Sequence, residues 1–134
     1  MSKFSFKKLS ADEVSFGGSL KGYLKYGITY NDLVDMFGQP TFVPEDSGDG
    51  KVNFEWVIEM ETEENGIQEF TIYDWKVDAG WSIDNTGTLE QSKEWFGSRW
   101  HVGGKEYAGE FIVRVEDGFD NKTVFVEETN ELPF

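Results

Sequence analysis

Apolar and polar residues alternate most cleanly in the middle of the chain, where Val52, Phe54, Trp56, Ile58 and Met60 are interleaved with Asn53, Glu55, Val57 and Glu59. A period of two over that length predicts a strand with one face on a core. A second strand-like run ending in Tyr73-Asp74-Trp75-Lys76 follows Asn65-Gly66, a pair favoured in two-residue type I′ turns. Together they predict a β-hairpin over about residues 51–76. A two-residue turn sets Met60 opposite Thr71, Ile58 opposite Tyr73 and Trp56 opposite Trp75 on the core face. The other face then pairs Glu59 with Ile72, Val57 with Asp74 and Glu55 with Lys76. A one-residue slip exchanges the two faces, so the assignment rests on the turn.

The clearest helix signal is TYNDLVDMFGQP. Tyr30, Leu33, Val34 and Phe37 form one helical stripe, Thr29 is the expected N-cap with Asp32 three residues on, and Gly38 and Pro40 supply the stop. Phe4, Phe6 and Leu9 among Lys3, Lys7 and Lys8 predict an opening strand; Phe16-Gly17-Gly18 predicts a turn, and Leu20 to Ile28 a second strand. Residues 44–51 and 78–88 read as loops, the latter carrying Trp81, and Thr88 with Gln91 as a capping box for a short helix closed by Gly97. Arg99 to Val102 predicts a short strand ended by Gly103-Gly104. Residues 107–115 fit both periods, with helix favoured, and residues 122–128 predict a last strand. The order lacks regular βαβ alternation. It predicts one α+β domain over residues 1–134, an antiparallel sheet with a central hairpin and two or three short helices packed on it.

Composition adds constraints. With 38% hydrophobic and 16% aromatic residues in 134, the chain can build a ring-rich core without staples, and it has no cysteine. No apolar run reaches the roughly 18 residues of a membrane span, and the first residues lack the continuous apolar stretch of a signal peptide. The expectation is a soluble protein that is not secreted. Net charge is −14: residues 1–30 carry five lysines against Asp12 and Glu13, and residues 31–134 carry seven Lys/Arg against 24 Asp/Glu. Such a chain repels nucleic acid and anionic lipid and attracts basic partners.

Candidate chemistry is sparse. One histidine, His101, and no cysteine rule out thiolate catalysis and Cys/His zinc sites. No nucleophile elbow, phosphate-binding P-loop or dinucleotide fingerprint is present. The loop from Glu45 to Gly50 resembles a calcium loop, but its twelfth position is Trp56, where a bidentate Glu is required. The expectation is no enzyme, no metal and no cofactor. Two segments stand out, Tyr73-Asp74-Trp75-Lys76 and Arg99-Trp100-His101-Val102-Gly103-Gly104-Lys105, each mixing large rings with a cation. As a ligand or partner site, the second strand returns beside the first, His101 approaches Asp74 or Lys76, and Gly103 and Gly104 leave an open rim. As core, Tyr73, Trp75 and Trp100 pack inside and the glycines only make a turn.

These segments carry a resemblance. YGITYNDLVDMFGQP, an acidic hairpin ending IYDWK, and then WHVGG resemble, in that order, small uncharacterised bacteriophage accessory proteins with YDWK-like and WHIGG-like motifs. The resemblance covers roughly residues 20–115, leaving out the stretch at 78–88, and carries over no catalytic residue. It implies a phage product in the cytoplasm of an infected bacterium. With the acidity and the missing catalytic chemistry, it leads to a non-catalytic inhibitor of a bacterial defence factor, in the manner of anti-CRISPR or anti-restriction proteins. It would bind stoichiometrically, possible mimicry of nucleic-acid charge included, to a basic host protein surface. Glu59, Glu61, Glu63 and Glu64 are the expected acidic contacts, with no direct binding of nucleic acid or membrane. The alternatives are a sponge for a nucleotide-like immune signal, with Trp75, Trp100, His101 and Lys105 lining a pocket, and a structural or morphogenetic phage protein.

Overall fold

The computed structural model describes residues 4–14, 19–42, 54–74 and 99–125. In chain order these form β1 (Phe4–Lys8), a single 3-10 turn (Ala11–Glu13), β2 (Ser19–Tyr23), α1 (Tyr30–Phe37), β3 (Glu55–Thr62), β4 (Gly66–Tyr73), β5 (His101–Gly104) and α2 (Gly109–Asp120). The strands make one antiparallel sheet in the order β1-β3-β4-β5-β2, so the fold is α+β. The WHVGG strand does return beside the strand that ends in Tyr73 of YDWK: β5 pairs with β4.

The hairpin register differs from the sequence expectation. Thr62 pairs with Gly66, Met60 with Gln68, Ile58 with Phe70 and Trp56 with Ile72. Glu63, Glu64 and Asn65 form the turn, and only Gly66 takes a positive φ, +68°. A type I′ turn needs positive φ at both central residues, and Asn65 does not supply it. Asn65 instead donates its N–H to the Thr62 hydroxyl at 3.0 Å. The pairing is displaced by an odd number of residues, which turns β4 over. Phe70 and Ile72 face the core, and Thr71 and Tyr73 the other side, next to Val57 and Glu55.

Both helices cover the face that carries Phe6, Trp56, Ile58, Met60, Phe70 and Ile72. Phe111 of α2 stacks on Phe70 at 4.6 Å between centroids and meets Phe6 edge-on at 5.6 Å. Tyr30 and Phe37 of α1 reach Trp56 and Phe6 at 5.7 Å each. The α1 caps follow the sequence: Thr29 accepts from the Asp32 N–H at 3.1 Å, the Asp32 carboxylate accepts from the Thr29 N–H at 2.9 Å, and Gly38 ends the helix at φ +86°. Two buried tryptophans then fix α1 at both ends. The Trp100 indole donates to the Ile28 carbonyl at 2.8 Å and the Trp56 indole to the Gly38 carbonyl at 2.9 Å, while the rings meet edge-to-face at 5.5 Å. Each indole N–H thus finds a carbonyl that helix geometry leaves unpaired or lies just outside the helix.

Other expectations shift at their ends. The second strand stops at Tyr23 because the chain turns at Tyr26-Gly27, with Gly27 at φ +97°. Residues 107–115 resolve as helix from Gly109 onward. Lys122 to Phe125 are not strand; Phe125 packs between Phe6 and Phe37 and donates its N–H to the Met36 carbonyl. The expected turn at 16–18, the loops at 44–51 and 78–88, the helix at 89–96 and the rest of the last strand lie outside the described residues.

Candidate functional site

The register lays one row of side chains across four strands on the face away from the helices: Glu55, Tyr73, His101 and Tyr23. With strands about 4.8 Å apart, Glu55 and His101 stand about 10 Å from each other, with the Tyr73 ring between them. The His101 ring lies 5.4 Å from the Tyr73 centroid and 4.8 Å from that of Tyr23. The Arg99 guanidinium covers the Tyr23 ring at 4.8 Å and the Tyr26 ring at 5.4 Å, and its Nε donates to the Leu24 carbonyl at 3.2 Å.

Burial perturbs the titration of this row. It pushes the Glu55 carboxyl up to about 7, with the Thr71 hydroxyl hydrogen bond pulling the other way and the Asp74 charge adding to the rise. Burial also raises Tyr73, helped by Glu55 and then Tyr23. It lowers His101, opposed by the Arg99 backbone and the Asp74 charge, with the Arg99 charge adding to the fall. Perturbed groups aligned on one face are a physical reason to look for function there.

The sequence-nominated residues fall into different settings. Tyr73, His101 and Arg99 share the row or flank it. Asp74 does not face outward: it is fully buried, and its carboxylate accepts the Phe54 N–H at 2.8 Å, latching the base of the hairpin. Trp100 is core. Gly103 and Gly104 form no open rim, because both lie buried inside β5. A Cβ on Gly104 would stand 2.8 Å from Phe70 Cδ1, and one on Gly103 would stand 3.1 Å from the Thr71 hydroxyl and 3.3 Å from the Tyr73 ring. Each glycine is where a ring of β4 lies against backbone, on opposite faces of the sheet. Lys105 is exposed just past β5. Trp75 and Lys76 lie outside the described residues.

The acidic candidates divide as well. Glu59 is half-buried in register between Lys7 and Glu69, whereas Glu61, Glu63 and Glu64 are exposed around the hairpin tip. Beside the tip is an open hollow of about 260 Å³ lined by Phe4, Ser5, Glu61, Thr62 and Glu63. Sequence reasoning missed Glu55, Tyr23 and Tyr26. The signal for Glu55 was an acid set between Phe54 and Trp56 in the most apolar strand; nothing local marks the two tyrosines, which become neighbours of Arg99 only through pairing of β2 with β5. Among the described residues no cluster of acidic and histidine side chains is arranged to hold a metal ion, and no helix is long and apolar enough to cross a membrane. Compared with family models, curated proteins and solved structures, the chain shows no match.

Proposed function

We propose that the protein is a non-catalytic phage accessory protein that inhibits a bacterial defence factor by stoichiometric binding, with its hairpin tip docking on a basic host surface built for nucleic acid. The observation that carries this reading is the hollow at the tip. Two carboxylates, Glu61 and Glu63, and the ring of Phe4 line about 260 Å³ of space. That is below the roughly 300–1,000 Å³ of small-molecule pockets, so it suits one inserted side chain better than a whole ligand. A lysine or arginine head would meet both charge and ring there. The remainder of the tip and the net charge of −14 supply long-range attraction. The bacteriophage resemblance supplies the setting, the cytoplasm of the infected host.

The test is capture from bacterial lysate followed by native mass spectrometry of the complex. Wild-type protein is expected to hold one host protein in fixed stoichiometry, more weakly as salt rises, because exposed charges are screened beyond about 10 Å at 0.1 M. Changing Glu59, Glu61, Glu63 and Glu64 to Gln should abolish capture at an unchanged melting midpoint. Restoring Glu59 alone should recover little, since it sits away from the hollow. Equal capture by wild type and the fourfold variant at low and high salt would refute docking through the tip.

A further inference from the structure

The chain has two arginines, and the fold treats them differently. Arg114 is paired with Glu110 at 2.9 Å on α2. Arg99 meets no carboxylate among the described residues, in a chain with 26 acidic residues. It is nonetheless held in place: Nε is fixed on the Leu24 carbonyl and the guanidinium plane rests against Tyr23 and Tyr26. The terminal nitrogens make no hydrogen bond among the described residues. β2 and β5 contain no Asp or Glu, so nothing on these two strands repels an anion.

A second observation comes from His101, whose ring meets Tyr23 edge-on at 4.8 Å, so that His101 and the Arg99 guanidinium lie against the same tyrosine. Tyr23 and Tyr26 add exposed ring surface, 38% and 68% of each residue remaining open.

We propose that Arg99, supported by Tyr23, Tyr26 and His101, is an oxyanion site that binds the phosphate or carboxylate of a small ligand, with the exposed tyrosine rings receiving a planar group carried by the same molecule. The guanidinium is pre-ordered by stacking, so little side-chain entropy is lost on binding, and its outward edge offers the paired donors that fit phosphate and carboxylate. This site lies on the opposite side of the sheet's hairpin from the acidic hollow and does not depend on docking there.

The experiment is a titration of the full chain by nuclear magnetic resonance, reading the Arg99 Nε–H, the Tyr23 amide and the His101 ring. The probes are inorganic phosphate, adenosine monophosphate and succinate, each up to about 10 mM, a range that detects even the millimolar affinity of a weak site. Saturable shifts at these groups are expected, strongest for adenosine monophosphate. Saturation by the two phosphates alone assigns the site to phosphate; saturation by succinate as well assigns it to oxyanions in general. Arg99→Lys keeps the charge and loses the planar fork, and should weaken binding by roughly tenfold or more. No saturable shift with any probe would overturn the proposal, as would equal affinity in Arg99→Lys. If that variant fails to fold, the wild-type titration still decides.

Discussion

Across the junction of β4 and β5 the sheet changes character. From Glu55 to Tyr73 the hairpin carries Glu55, Glu59, Glu61, Glu63, Glu64 and Glu69 and no lysine or arginine. On the other side, β2 and β5 carry Lys21 and His101, are flanked by Arg99 and Lys105, and contain no carboxylate. Opposite charges set across strands would be the simplest way to join the two halves, and β1 sets Lys7 opposite Glu59 of β3, although the Lys7 ammonium itself lies 3.7 Å from Glu13. The β4–β5 junction uses none. Its pairs are Phe70 with Gly104, Thr71 with Gly103, Ile72 with Val102 and Tyr73 with His101, so rings against glycine backbone make the contact. Packing supplies the cohesion at this junction.

The largest expected effect comes from breaking the link that both halves share. Trp100 leads into β5, touches Trp56 of the hairpin and holds the start of α1. Trp100→Ala should cost about 3–5 kcal/mol, the usual range for a fully buried large ring. A loss under about 1 kcal/mol in chemical denaturation would mean that the halves are held together elsewhere.

Next is the pH dependence of the acidic half. The Glu55 carboxyl is raised to about 7 in the folded protein from 4.5. Between those values the folded state keeps a proton that the unfolded state has released, so stability falls as pH rises through that window and levels off above it. The contribution is on the order of 3 kcal/mol. Glu55→Gln should remove this slope, leaving the variant more stable than wild type above pH about 7. Denaturation midpoints of both proteins from pH about 4.5 to 8 provide the check, and parallel curves would contradict it. The lowered His101 runs the other way: its neutral form is favoured by folding, so its contribution is lost as pH falls below the usual histidine value.

A smaller effect is expected at the tip. Gly66→Val forces a β-branched residue into φ +68° and should destabilise the domain by about 1–2 kcal/mol. No change in melting midpoint would mean that the turn relaxes without cost.

That glycine also shows what the sequence made legible. The need for a left-handed residue at Gly66 was readable, whereas the turn length was not, because Asn-Gly also fits a longer loop in which only the glycine is left-handed. The misplaced register put Thr71, Tyr73 and Trp75 on the core face. Ranking the two faces of β4 by apolar character would have chosen Phe70 and Ile72 over Thr71 and Tyr73, so the correct signal was present and the turn dipeptide overrode it. Helix α1 was readable because its caps and its stripe are local. In α2, Phe111, Val113 and Val115 satisfy a strand period while Phe111, Ile112 and Val115 satisfy a helical one, and only packing on Phe70 distinguishes them. Chain length allowed the return of β5 beside β4 without requiring it. The roles of Gly103 and Gly104 did not, since the rings they admit belong to residues some 30 positions earlier.

The most direct measurement is a pair of titrations on one isotope-labelled sample, followed residue by residue. A lysine- and arginine-rich peptide should shift Phe4, Ser5 and the residues around Glu61 to Glu64, and adenosine monophosphate should shift Tyr23, Arg99 and His101. Each set should saturate without disturbing the other. Both probes converging on the same half of the sheet, or neither producing a saturable change, would contradict the division of the sheet into an acidic docking half and a cationic, ring-bearing one.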